Sequence, residues 1–253
     1  MATLGQAWGA RLVALAMLGL LAGCAAEIEP EKTGTVYPET LALMQSMNME
    51  RGAPIFVRII KQDSRLEVWK QDRTGAFRLL KSYAICHFSG ALGPKKAEGD
   101  HQAPEGFYWI GRNQMNPHSR EYLSFNLGYP NAYDRSYGRT GDSLMVHGGC
   151  RSVGCYAMTN EQMEEIFGLA HEAFAGGQDR FQVQALPFRM TADALDQHRA
   201  DVNAPFWQNL KQGTDYFDRS AQPPEVQVCN GRYVFDAQTA LTSMGAGGNC
   251  TRL

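Results

Sequence analysis

The hydrophobic period changes along the chain, and each change marks an element. Residues 41–49 carry Leu, Met and Gln in a density that predicts a short helix. Residues 55–60 and 66–69 are β-branched and aromatic runs parted by a polar turn, and a second polar turn leads into residues 77–85. Three strands at this spacing predict a meander. Residues 90–106 form a loop rich in Gly, Pro and charge, followed by predicted strands at 107–110 and 122–127. Residues 128–142 read as loop, and 143–147 as a short apolar strand ending on His147.

Beyond Cys155 the period becomes helical. Thr159 with Gln162 three residues on is a capping box, and Met163, Ile166, Phe167, Ala170 and Phe174 follow at helical spacing. Gly176-Gly177 ends that helix, and 181–186 predicts one more strand. Helices are expected near 192–200 and 205–217, the latter with Trp207, Leu210, Tyr216 and Phe217 as one apolar face docked on a sheet. After Pro223-Pro224, residues 226–228 and 233–235 frame Asn230-Gly231 as a hairpin. The expected class is α+β: a β-rich core, one prominent helix after Cys155, and a helical C-terminal extension.

Composition adds limits. A chain of 253 residues is long enough for one or two domains. With 20% charged residues and a net charge of −2 it has no basic excess to neutralise phosphates, which argues against nucleic acid as a partner. The N-terminus stands apart. Arg11 is its single charge, and residues 12–21 are an apolar run the length of a signal-peptide core, too short for a bilayer span of roughly 20 residues. Leu21-Ala22-Gly23-Cys24 resembles a bacterial lipobox, in which cleavage before Cys24 leaves that cysteine to carry lipid. A plain secretory signal cleaved after Ala25 or Ala26 is the alternative. Residues 25–34 read as a flexible tether. The expected location is the periplasm, with the anchor in the outer membrane because Ala25, not Asp, follows the cysteine.

Export places the six cysteines in an oxidising space. If Cys24 is lipidated and Cys155 stays a thiol, four remain and allow three pairings. Cys229 and Cys250 lie close together in the tail and are the favoured pair, with Cys86–Cys150 the other. Cys86 and Cys150 as buried thiols is the competing reading.

Chemistry concentrates in Met145-Val146-His147-Gly148-Gly149-Cys150-Arg151-Ser152-Val153-Gly154-Cys155-Tyr156. A cysteine attacks as its thiolate, and a nearby imidazole can take the proton. A following helix start would add N–H donors and partial positive charge, and backbone N–H groups around Gly154, Cys155 and Tyr156 could hold an oxyanion. His147, Cys150 and Cys155 make three metal ligands where structural zinc takes four, so no metal and no cofactor are expected. Arg139, Arg151, Ser152 and Asp134, in or beside the motif, are candidate binders of substrate carboxylates, with ordinary solvated loop residues the competing reading. Tyr133, Tyr137 and Tyr156 are candidate cleft residues, with core packing the competing reading for each.

The motif resembles the L,D-transpeptidase (YkuD-type) catalytic domain, whose signature is a His-Gly followed by Ser-x-Gly-Cys; here these are His147-Gly148 and Ser152-Val153-Gly154-Cys155. Ala103-Pro104-Glu105-Gly106-Phe107-Tyr108 resembles that family's upstream Thr-Pro-x-Gly-x-Phe element. The segments GALGPKKAEGDHQAPEGFYWI, YLSFNLGYPNAYDRSYGRTGDSLMVHGGCRSVGCYAMT and FWQNLKQGTDYF are similar to the YafK-like branch. The resemblance implies Cys155 as nucleophile, His147 as general base, and the Gly148 carbonyl as the group that orients the imidazole. It departs from the common motif in carrying Val153 where a second His stands, and in the short His147–Cys155 gap. It also implies peptidoglycan stem peptides as substrate. The outcome would be hydrolysis of a diaminopimelate–lysine link to a lipoprotein, transpeptidation, or wall binding without catalysis. The organisation expected is a signal peptide at 1–23, a tether at 24–50, a catalytic domain at 51–188 and an extension at 189–253.

Overall fold

The computed structural model describes Met1 and residues 32–235 and 250–253. The proposed signal segment and the lipidation site Cys24 lie outside the described residues.

A short helix, α1 (Pro38–Ser46), leads into strands β1 (Ile55–Ile60), β2 (Arg65–Gln71) and β3 (Phe77–Ala84), which form the antiparallel meander. β5 (Gly106–Gly111) and β10 (Arg180–Leu186) complete a mixed sheet in the order β3-β2-β1-β10-β5, with β1 and β10 parallel. Every residue of β1 is buried because the strand is central and covered on both faces. Ile55, Val57 and Ile59 join the main core, while Phe56 packs on the opposite side against Trp69, Phe77 and Phe217. Arg58 shares that second face. Its Nε donates to Gln184 Oε1 at 3.0 Å and its guanidinium lies 4.9 Å from the Phe217 ring centroid, so its charge is met by a polar acceptor and by π-faces.

A second five-stranded sheet carries the chemistry. It consists of β4 (His87–Phe88), β6 (Met115–Asn116), β7 (Ser124–Asn126), β8 (Met145–His147) and β9 (Tyr156–Ala157), in the order β4-β9-β8-β7-β6. The long helix α3 (Asn160–Ala175) begins just after β9. Thr159 caps it: Gln162 N–H donates to Thr159 Oγ1 and the Gln162 side chain accepts from Thr159 N–H, both at 3.1 Å. Met163, Ile166, Phe167, Leu169, Ala170, Ala173 and Phe174 bury its apolar stripe in the main core with strands of both sheets.

Helices α4 (Ala192–Gln197) and α5 (Ala204–Ser220) follow, and a small sheet of β11 (Gln227–Cys229), β12 (Arg232–Val234) and β13 (Cys250–Arg252) ends the chain. Trp207 and Leu210 of α5 pack with Phe107, Leu186 and Phe188. Phe217 belongs to the aromatic group on β1, and Tyr216 is only half-buried, outside both groups. At Gly213 the helix comes so close that a Cβ would stand 2.5 Å from Phe107 Cζ.

The predicted loop at 128–142 holds a further helix, α2 (Ala132–Ser136). Asn131 caps it, with Asp134 N–H donating to Asn131 Oδ1 at 3.0 Å. One turn of helix is too short for a 3.6 period to show. The two-residue strands β4, β6 and β9 escaped notice for the same reason.

Candidate active site

The register of β8 and β9 sets the geometry. They run parallel with Val146 opposite Tyr156 and His147 opposite Ala157. Val146 and Tyr156 are buried in the main core. Side chains alternate along a strand, so Met145 and His147 face the other way. Cys155 stands one residue before β9, and its sulfur accepts from the N–H of Met145, the residue that opens β8. The sulfur thus meets β8 two residues before His147, while the cysteine also packs against the main core. Cys155 is the free cysteine among the described residues, half-buried, while Cys86 and Cys150 are paired with Cα atoms 5.1 Å apart.

His147 is buried, and its Nδ1 lies 2.6 Å from the Gly148 carbonyl oxygen. A carbonyl only accepts, so Nδ1 carries the ring proton and Nε2 presents its lone pair. Met145 N–H donates to the Cys155 sulfur at 3.4 Å, and that sulfur lies 3.8 Å from the Ser143 carbonyl. Burial pushes the Cys155 thiol above its ordinary value, while the Met145 N–H and the charge of Lys95 pull it back part of the way. The net direction is up, so the resting sulfur is a thiol that needs a base.

The turn between the two residues is held from outside. Gly149 N–H donates to Asn160 Oδ1 at 2.9 Å, tying the turn to the first residue of α3. Cys150 N–H donates to the Met158 carbonyl, and Cys86 N–H to that of Ala157. Gly154 adopts φ +94°, a conformation most side chains avoid. Its N–H donates to Ser89 Oγ at 2.7 Å, and Cys155 N–H donates to Ser152 Oγ at 2.8 Å.

One expectation about charge changes here. The amides of Gly154 and Cys155 are already bonded to serine hydroxyls, so in this state they shape the turn and are not open for an oxyanion. The helix start is near the sulfur and not at it, as the four-residue spacing from Cys155 to Thr159 implies: β9 and Met158 intervene.

Residues 55–178 match the YkuD family, the L,D-transpeptidase catalytic domain. The chain is 46% identical over 183 residues to YafK of Escherichia coli (strain K12), an L,D-transpeptidase by name, covering 72% of this chain and 74% of that protein. The chain belongs to the L,D-transpeptidase family. The YafK of Escherichia coli O157:H7 is similar to the same extent. Among solved structures, the helical cell shape determining protein Pgp2 of Campylobacter jejuni (K307A mutant) is 19% identical with a TM-score of 0.42, covering 76% of this chain and 78% of that one. Bd1075 of Bdellovibrio bacteriovorus is 16% identical with a TM-score of 0.37, covering 75% and 60%.

The L,D-transpeptidase span holds His147, Gly148, Ser152, Gly154 and Cys155 in one turn, with Arg151 exposed beside them. It does not bring the other candidates there as free groups. Arg139 is nearly buried, its Nη1 donates to Asp134 Oδ1 at 2.7 Å, and its guanidinium lies over Tyr133, Tyr137 and Phe206. Arg139 and Asp134 thus satisfy each other. Tyr156 is fully buried and donates its hydroxyl to the Pro104 carbonyl at 2.6 Å, so it is a core residue. Tyr133 is buried in the stack of Phe206 and Tyr233. Val153, in the place of a second family His, is 74% exposed.

Sequence reasoning missed Ser89, Asn160 and Lys95. Ser89 and Asn160 are ordinary polar residues with no local signal. Lys95 sat inside a quoted segment, where a lysine in a charged loop reads as solvated surface.

Proposed function

We propose that this protein is a cysteine acyl-transfer enzyme of the cell wall, with Cys155 as nucleophile and His147 as its base. The observation that carries the reading is the meeting of β8 with the start of β9. The first strand ends on an imidazole whose Nδ1 is engaged by the Gly148 carbonyl, and the free thiol just ahead of the second accepts from the N–H of Met145 on the first.

His147 Nε2 takes the thiol proton, and the sulfur attacks a carbonyl of diaminopimelate in a peptidoglycan stem peptide. A tetrahedral intermediate forms, with its negative charge on the former carbonyl oxygen. The intermediate collapses with loss of an amine, which His147 protonates, leaving a thioester on Cys155. Water then releases the acyl group as an acid, or an amine takes it as a new amide.

We read the outcome as hydrolysis of the link between diaminopimelate and the C-terminal lysine of an outer-membrane lipoprotein. The similarity of three long segments to the YafK-like branch supports this. Lipid attachment at Cys24 would keep the enzyme in the periplasm, and both cysteine pairs, Cys86–Cys150 and Cys229–Cys250, would be disulfides there.

Mass spectrometry of lipoprotein-bearing peptidoglycan treated with the purified protein tests the reading. Loss of the lipoprotein-linked muropeptide without new cross-links supports hydrolysis. New diaminopimelate cross-links or exchanged terminal residues would replace it with transpeptidation. Undiminished turnover by Cys155→Ala removes the mechanism, and co-sedimentation without turnover leaves a wall-binding protein.

A further inference from the structure

The loop between β4 and β5 brings a buried cation beside Gly141, two residues before the carbonyl that the Cys155 sulfur meets. Lys95 is buried there, its side chain 5% exposed. Its Nζ donates to the Ala97 carbonyl at 2.8 Å and to Asp100 Oδ1 at 2.6 Å. An ammonium has three donors, and these two bonds use two of them. Asp100 also accepts from the N–H groups of Lys96, Ala97 and Gln102 at 2.8, 3.0 and 3.1 Å. Although burial works against it, those bonds hold its carboxyl below the ordinary value, so it stays charged.

This loop is joined to the segment that leads to the nucleophile. Thr140 N–H donates to the Lys96 carbonyl at 3.2 Å, and Glu98 N–H donates to Thr140 Oγ1 at 3.1 Å. Tyr129 donates its hydroxyl to the Lys95 carbonyl at 3.3 Å. A Cβ on Gly141 would stand 2.9 Å from Lys95 Cε, so a glycine makes room for the lysine stem. Two residues on, the Ser143 carbonyl touches the Cys155 sulfur. The ammonium and the sulfur thus flank one three-residue stretch of backbone.

We propose that Lys95 is a positioning residue of the active site, a fixed ammonium that favours the ionised sulfur of Cys155. This deepens the proposed function and rests on Cys155 being the nucleophile. The Cys155 thiol is pushed up by burial, and of the charged side chains the one that pulls it down is Lys95. Other ionisable groups on these segments are His147 on β8, His87 on β4, Arg151 on the turn before Cys155, Asp142 beside Ser143, Lys96, Glu98 and His101 on the lysine's own loop, and Asp134–Arg139, whose charges cancel. Lys95 offsets part of the cost of forming a thiolate in a half-buried place, and Asp100 holds the ammonium in position while moderating its field.

Alkylation of Cys155 by iodoacetamide tests this without substrate. The reaction is followed by peptide-resolved mass spectrometry in the folded full chain. In Lys95→Met the midpoint of the rate-against-pH curve should rise by about one unit, an approximately tenfold slower reaction near pH 7. Lys95→Arg should restore most of the wild-type curve. Asp100→Asn should move the midpoint the other way, because the ammonium then acts undiminished, whereas a merely structural role predicts no such opposition. Unmoved midpoints in Lys95→Met and Asp100→Asn overturn the proposal. Should Lys95→Met fail to fold, Asp100→Asn decides: a lower midpoint supports it, and an unchanged or higher one sinks it. Turnover by Cys155→Ala would end the nucleophile reading separately, since the alkylation curves report on Lys95 whichever way that result falls.

Discussion

The amide of Gly154 donates to the hydroxyl of Ser89 at 2.7 Å, a bond that reaches 65 positions back along the chain. Ser89 follows β4, which pairs with β9, so the edge strand of the second sheet supplies a partner to the turn in front of Cys155. Ser89→Ala leaves that buried N–H without an acceptor, at a cost of about 1–3 kcal/mol. If the cost falls on the geometry of the turn, kcat on peptidoglycan drops by roughly one to two orders of magnitude while the melting temperature moves little. A large melting shift with unchanged kcat would place the bond in folding alone.

The cysteine pairs proposed as disulfides differ in what they hold. Cys86–Cys150 joins the start of β4 to the turn between His147 and Cys155, whereas Cys229–Cys250 joins β11 to β13 at the end of the chain. Removing either bridge should lower stability by about 2–5 kcal/mol. Cys86→Ala/Cys150→Ala should also lower turnover, and Cys229→Ala/Cys250→Ala should not. Equal turnover in the two double variants, assayed below both melting temperatures, contradicts this division.

Lys61 and Glu105 form a fully buried ion pair at 3.1 Å, and Trp207 Nε1 donates to the same carboxylate at 2.9 Å. Lys61 also donates to the Gly93 and Ala103 carbonyls, which fastens the loop that carries Lys95. Lys61→Met strands the carboxylate and should cost about 3–5 kcal/mol in urea unfolding. Lys61→Met/Glu105→Gln should cost less, because no buried charge is left over. A double variant weaker than Lys61→Met would mean that hydrogen bonding, not charge, governs the site.

The thiol has its own pH signature. Burial raises the Cys155 value in the folded chain, so as pH climbs past the ordinary thiol value of about 8.5 the unfolded chain loses its proton first. The thiol's contribution to stability is full below that point and is lost as pH rises through the folded value. Wild type should therefore lose stability relative to Cys155→Ala across the alkaline range. Parallel stability curves for the two proteins would show that the thiol is not raised.

Much of the fold was readable in advance. The meander, the Thr159-capped helix α3, β10 and the hairpin at Asn230-Gly231 all rest on signals contained within a few neighbouring residues. The motif from His147 to Cys155 is equally local, but the roles expected of its residues came from the family resemblance. Tyr156 and Arg139 were left with two readings each, since a tyrosine and an arginine beside a motif look alike whether they face substrate or core. Tyr156 alternates into the core opposite Val146, and Arg139 is spent on Asp134.

Local pattern thus specified the elements and their caps, because periodicity and capping act over one or two turns of chain, while the roles expected of His147 and Cys155 came from the family resemblance. The pairing of β8 with β9, the arrival of Ser89 at the amide of Gly154, and the approach of Lys95 to Gly141 emerged only on folding. The Ser89 and Lys95 contacts join residues tens of positions apart, and such neighbours are chosen by which surfaces must be buried together, a choice that no short stretch of sequence contains.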